Sequence, residues 1–256
     1  MRRTAATSAA AERGLVTAAG FESAGGAIAH LQCIGNPADA QFLQGFFRTG
    51  PGEYGEGDRF LGIRVPVLRR LLPQLDGLPD AELDALLHAA WHEARLLALL
   101  ALVRRYGRGT SAEQQRIYRL YLQRTERINN WDLVDSSAPY IVGAHLAERS
   151  RAPLHRLARS RSLWERRIAI VATAWFIRQG ETSETLAIAA RLLHDDHDLI
   201  HKAVGWMLRE AWKRDGRTGE FVAAHCRTMP PTMLRYAIER QPAAERQRYL
   251  RGECAS

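Results

Sequence analysis

Beyond about residue 25 the chain reads as one helical block after another. Each block is roughly 10–17 residues long, and short Gly- or Asp-containing breaks separate them. No feature constrains the fold more. Residues 91–106 are the clearest case: Leu and Ala dominate, and neither Pro nor Gly interrupts them. Comparable blocks cover 65–75, 80–89, 112–125, 163–178, 183–194, 197–213, 218–227 and 231–240. The breaks include Gly107–Arg108–Gly109, Gln179–Gly180, His194–Asp195–Asp196 and Asp215–Gly216. Capping residues sit where helices should begin, with Thr110 or Ser111 before Glu113 and Asp80 before Ala81. Val and Ile fall at helical spacings, and no segment alternates as a strand would. The expected class is all-α.

Helices of similar length with short connections, starting in pairs every 30–45 residues or so, match the period of degenerate HEAT-type units. An α-solenoid of HEAT-like repeats with a concave basic face is therefore expected, with an irregular bundle as the alternative. Residues 1–24 lack an apolar period and are read as a flexible N-terminal tail, with 25–256 as the folded domain. No apolar run is long enough to span a bilayer, and the N-terminus has no continuous apolar segment of the signal-peptide kind. Cys33, Cys226 and Cys254 are few and widely spaced, without zinc-ligand spacing. They read as inert thiols in a reduced, cytoplasmic compartment.

Charge narrows the function. The net charge is +8, and of the 36 basic residues only Lys202 and Lys213 are lysines. Arginine's planar fork suits phosphate, so a polyanionic partner is expected, nucleic acid before membrane. Arginines crowd 149–167: Arg149, Arg151, Arg156, Arg159, Arg161, Arg166 and Arg167, opposed within the stretch only by Glu165. This stretch is expected to face a duplex backbone, the alternative being a solvated surface. His197 and His201 lie four apart but have no third ligand nearby, so no metal is expected. The glycines of 50–58, GPGEYGEGD, match no nucleotide-loop spacing and read as a turn-rich connection.

Four separated segments carry a resemblance: FFRTGPGEYGEGDRFLGIRVPVLRRL (46–71), NNWDLVDSSAPYIVG (129–143), SLWERRIAI (162–170) and HKAVGWMLREAW (201–212). In order and spacing, over about 37–240, the chain resembles the AlkD-type DNA alkylation repair family. The resemblance implies a HEAT-like α-solenoid. It further implies a DNA glycosylase, a hydrolase of base excision repair, that releases cationic alkylpurines such as 3-methyladenine and 7-methylguanine from duplex DNA. Carried over residue by residue, it implies Asp135 as the catalytic carboxylate, with Trp131 and Trp206 as cleft tryptophans. Arg167 then contacts phosphate, with Arg166 beside it and Arg159 and Arg161 on the same basic stretch. Phe46 stands where a well-known member has tyrosine, so no hydroxyl is available there. No cofactor is implied, and a monomer near the nucleoid is expected.

The chemistry is coherent in these residues. Trp131 and Asp135 are four apart and share one helix face. An N-alkylated purine is already a good leaving group, and its departure moves positive charge onto the sugar. A fixed carboxylate stabilises that charge more in the transition state than in the ground state. Indole faces attract cations as well. Read without the resemblance, Asp135 equally suits a helix cap or an ion pair with arginine, and Trp206 equally suits core packing. A non-catalytic HEAT-repeat protein that binds damaged or branched DNA is the alternative function.

Overall fold

The computed structural model describes residues 20–254. Among these the only regular structure is helical, apart from one isolated bridge between Arg59 and Trp91. No helix among them is long and apolar enough to cross a membrane. The chain divides into two compact units, Met1–Arg105 and Tyr106–Ser256.

In the first unit, α1 (Ala24–Ile34) begins at Ser23, whose hydroxyl accepts the amide of Gly26. Residues 20–24, read from sequence as the end of a tail, thus belong to the fold, and the Phe21 amide donates to the Gln74 carbonyl at 2.8 Å. The rest of the expected tail lies outside the described residues. Then come α2 (Pro37–Phe46), α3 (Val65–Leu71) with a 3-10 turn over Leu72–Leu75, α4 (Asp80–Leu87) and α5 (His92–Arg108), whose residues from Tyr106 on are counted with the second unit. The Gly-rich 50–58 segment is a compact turn. Glu53 and Glu56 accept the amides of Gly50 and Gly52, and buried Asp58 pairs with His92 and Arg95. Glu93 gathers the amides of Leu61, Gly62 and Ile63 at 2.8–3.1 Å. Gly62 adopts φ +80, and a Cβ there would collide with the Asn36 carbonyl.

The second unit holds α6 (Ser111–Gln123), α7 (Trp131–Asp135), α8 (Ala144–Leu146), α9 (Ala152–Leu157), α10 (Leu163–Ala172), α11 (Ala174–Arg178), α12 (Ser183–Arg191), α13 (Asp198–Trp212), α14 (Arg217–His225), α15 (Pro231–Ala237) and α16 (Ala243–Leu250). Thr110 and Glu113 form a reciprocal capping box on α6. Helix α10 packs against both α7 and α13, and α13 packs against α15. That last contact is close because residue 205 is glycine, where a Cβ would strike the Met233 carbonyl. The block expected over 163–178 breaks at Thr173, whose hydroxyl turns back onto the Ile170 carbonyl.

The cysteines differ from the expectation. Cys226, at the C-cap of α14, and Cys254 form a disulfide, while Cys33 is free and exposed. The two ends lie 28 residues apart in sequence, and only the folding-back of α16 brings them together.

Candidate active site

The candidate site is built around α7, a helix of five residues. Buried Asn130 starts it, its side chain accepting the Trp131 amide at 2.8 Å. Directly after it, Pro139–Gly143 forms a π-turn, where Pro139 supplies no amide to continue an α-helical ladder. The hydroxyl of Ser137 donates to the Leu133 carbonyl at 2.5 Å and meets the Tyr121 hydroxyl at 2.9 Å. Burial raises the Tyr121 phenol well above its ordinary value. These groups fix the α7 C-terminus, and with it Asp135.

Asp135 is held from the next helix. Arg167 Nε donates to Oδ1 at 2.9 Å and Nη2 to Oδ2 at 2.8 Å, while Nη1 donates to the Leu199 carbonyl on α13 at 2.6 Å. One arginine on α10 thus joins α7 to α13. Its side chain is 6% exposed, whereas that of Asp135 is 19% exposed. Asp135 is the more exposed member of the pair. Burial raises the Asp135 carboxyl above its ordinary range, and the neighbouring Arg167 charge opposes that shift. The bidentate pair occupies one lone pair on each oxygen and leaves others able to accept.

Trp131 stands one turn before Asp135, Trp164 one turn before Arg167, and Trp206 two turns after Leu199 on α13. All three are half-buried. Three packed helices therefore each bring an indole and one member of the Asp135–Arg167–Leu199 chain. The sequence pointed to Trp131, Trp206 and Asp135. Leu199 and Asn130 act through backbone and cap positions that side-chain spacing does not reveal.

The basic stretch divides in two. Arg167 and Arg166, both expected at phosphate, are turned to internal carboxylates. Arg166 grips Asp195 through Nε at 2.6 Å and Nη2 at 3.2 Å, and donates to the carbonyls of Ser160 and Arg161. Arg151 pairs with Glu181 and lies over the Phe176 ring, and Arg149 donates to the His145 carbonyl. Arg156, Arg159 and Arg161 are exposed. The acids that answer these arginines lie outside the stretch, Asp135 before it and Glu181 and Asp195 after it, so three arginines expected to face a duplex are spent on internal pairs.

Phe46, in the first unit, is 55% exposed at the end of α2, with its ring stacked on that of Phe42, itself 68% exposed. Arg59 lies over the Trp91 ring at 4.3 Å. The histidines once paired by spacing have separate duties. His197 accepts the Leu199 amide as the α13 N-cap, and His201 bonds the Asp195 carbonyl. Among the described residues no three His, Cys, Asp or Glu side chains converge as metal ligands.

The family described as DNA alkylation repair enzyme matches residues 27–240. A solved structure described as a predicted DNA alkylation repair enzyme from Enterococcus faecalis is similar in fold. Its TM-score is 0.64 at 18% identity, and the match covers 82% of this chain and 97% of that one. No curated protein matches the sequence.

Proposed function

This chain belongs to the DNA alkylation repair enzyme family, and on that premise we propose that it is a DNA glycosylase hydrolysing the N-glycosidic bond of cationic alkylpurines, 3-methyladenine and 7-methylguanine, in duplex DNA. The observation that carries this reading is the Asp135 carboxylate, partly exposed and held on both oxygens by a buried arginine. An anion fixed in this way needs no reorganisation when positive charge develops beside it.

In the proposed reaction the glycosidic bond breaks heterolytically and its electron pair leaves with the alkylated base, which departs neutral. The sugar becomes an oxocarbenium ion. Asp135 stabilises that cation and orients the water that attacks C1′; Trp131 and Trp206 offer indole faces to the same charge. In this reading Arg167 is a positioning residue for Asp135, a different role from the phosphate contact implied by the resemblance. Phosphate contact falls to the exposed Arg159 and Arg161, with Phe46 contacting DNA from the first unit. The helix pairs form a HEAT-like solenoid whose concave basic face receives the duplex, and no cofactor takes part. The protein acts as a cytoplasmic, nucleoid-associated monomer.

One observation favours the alternative, a non-catalytic DNA-binding relative. Both oxygens of Asp135 already have a partner, as a purely structural ion pair requires. Release of free 7-methylguanine from methylated duplex DNA by the purified protein decides between them. Binding without release would leave only the non-catalytic reading.

A further inference from the structure

The C-terminal helix α16 is poorly anchored. None of its residues is buried, and the segment 243–253 is exposed except for half-buried Tyr249 and Gly252. Its contacts include the Tyr249 ring edge-on to Trp212 at 6.0 Å, Arg227 Nε donating to the Gly252 carbonyl at 3.0 Å, and the Cys226–Cys254 disulfide. Against α14 lies an open cleft of about 640 Å³, lined among others by Trp212, Gly219, Glu220 and Arg227, with Tyr249 of α16 and Cys254 completing its wall. The helix and Cys254 lie beyond the residues that match the family, 27–240.

We propose that the Cys226–Cys254 pair is a redox-modification site: oxidised, it straps α16 against the Trp212 cleft, and reduction by a dithiol releases the strap and removes the Tyr249 wall of that cleft. Accessibility sets the order of events. Cys226 is 5% exposed and Cys254 is the more open sulfur. A dithiol's thiolate attacks Cys254 Sγ, the S–S bond breaks, and Cys226 leaves as a thiolate that takes up a proton. The reductant's second thiol then attacks the mixed disulfide, closes its own disulfide and frees Cys254. Two electrons and two protons pass to the protein.

The consequence follows from chain entropy. With α15 still folded, the disulfide ties back a free segment of about 12 residues, and closing a loop of that length biases the docked strap by a factor on the order of 10² over the unlinked chain. An aromatic edge contact and one surface hydrogen bond do not replace that bias in a helix without buried side chains. Release uncovers the end of α13, the helix that also carries Trp206 and Leu199.

The test uses the full chain with Cys33→Ser, which prevents crosslinks between molecules. Thiol titration of the denatured protein should count no free thiol after oxidised glutathione and two after dithiothreitol. Amide hydrogen exchange over 243–253 should be about 10²-fold faster in the reduced form and in the Cys254→Ser variant. Trypsin should cut after Arg246 and Arg248 correspondingly faster. Equal exchange in the two forms overturns the proposal, and so does persistence of two free thiols under oxidised glutathione. None of these readouts depends on base excision.

Discussion

Asp135→Asn perturbs stability and chemistry together, and the ion pair makes the two separable. The substitution leaves the Arg167 guanidinium bonded to the Leu199 carbonyl but without its counter-charge. Removing one partner of a buried pair costs about 3–5 kcal/mol, and the partial exposure of Asp135 places this case near about 3 kcal/mol. At about 2–4 °C per kcal/mol for a unit of this size, melting should fall by about 6–12 °C. Arg167→Met leaves Asp135, the more exposed member of the pair, and should cost less, about 2 kcal/mol. In the double variant no charge remains unpaired, so its loss should be smaller than the sum of the singles by about 2 kcal/mol. Excision behaves differently. Losing a well-placed electrostatic stabiliser lowers the rate by about 10²–10³, and the double variant should not recover it, because the carboxylate is still missing. The assays are thermal melting and single-turnover release of 7-methylguanine well below either melting point. Additive melting shifts would refute the structural reasoning. A double variant that regains excision along with stability would refute Asp135 as the catalytic group.

Three further outcomes are expected. Arg159→Ala and Arg161→Ala should each flatten the log–log salt dependence of duplex binding by about 0.9, whereas Arg166→Ala should lower melting and leave that slope alone; fluorescence anisotropy across a salt series checks both, and a slope unmoved by the exposed pair removes them from the interface. Burial, together with the Arg149 charge, lowers His145 to about 4, so between that value and the ordinary one near about 6.5 the unfolded chain binds more protons; stability is full above this window and is lost as pH falls through it. His145→Gln should flatten that acid limb, and a melting profile that keeps the wild-type pH slope would show that His145 does not cause it. Gly205→Ala should cost about 1–3 kcal/mol by forcing α13 away from α15, and an unchanged melting point would mean the two helices are not so closely packed.

What the sequence determined is local. The capping box of Thr110 and Glu113 closes within four residues, and the break at Gln179–Gly180 is a turn with φ +84 at Gly180. Trp131 and Asp135 share a helix face by spacing alone, so a candidate carboxylate with its indole was legible without coordinates. The helices over 24–34 and 37–46 were harder to see, since their apolar faces are weak and their start signals, Ser23 and Asn36, stand alone. Charge counting along the chain failed at 149–167 for a related reason. The acids that answer Arg151, Arg166 and Arg167 lie 30, 29 and 32 residues away. That separation is about one helix pair, and only the packing of successive helices places such residues side by side. Packing likewise turned Arg167 inward, gave the Leu199 carbonyl a role, and joined Cys226 to Cys254. A helix forms from signals within one or two turns, which a sequence displays. The partner of a buried charge is chosen by which helix lies alongside, and that depends on the shapes of whole apolar faces fitting together.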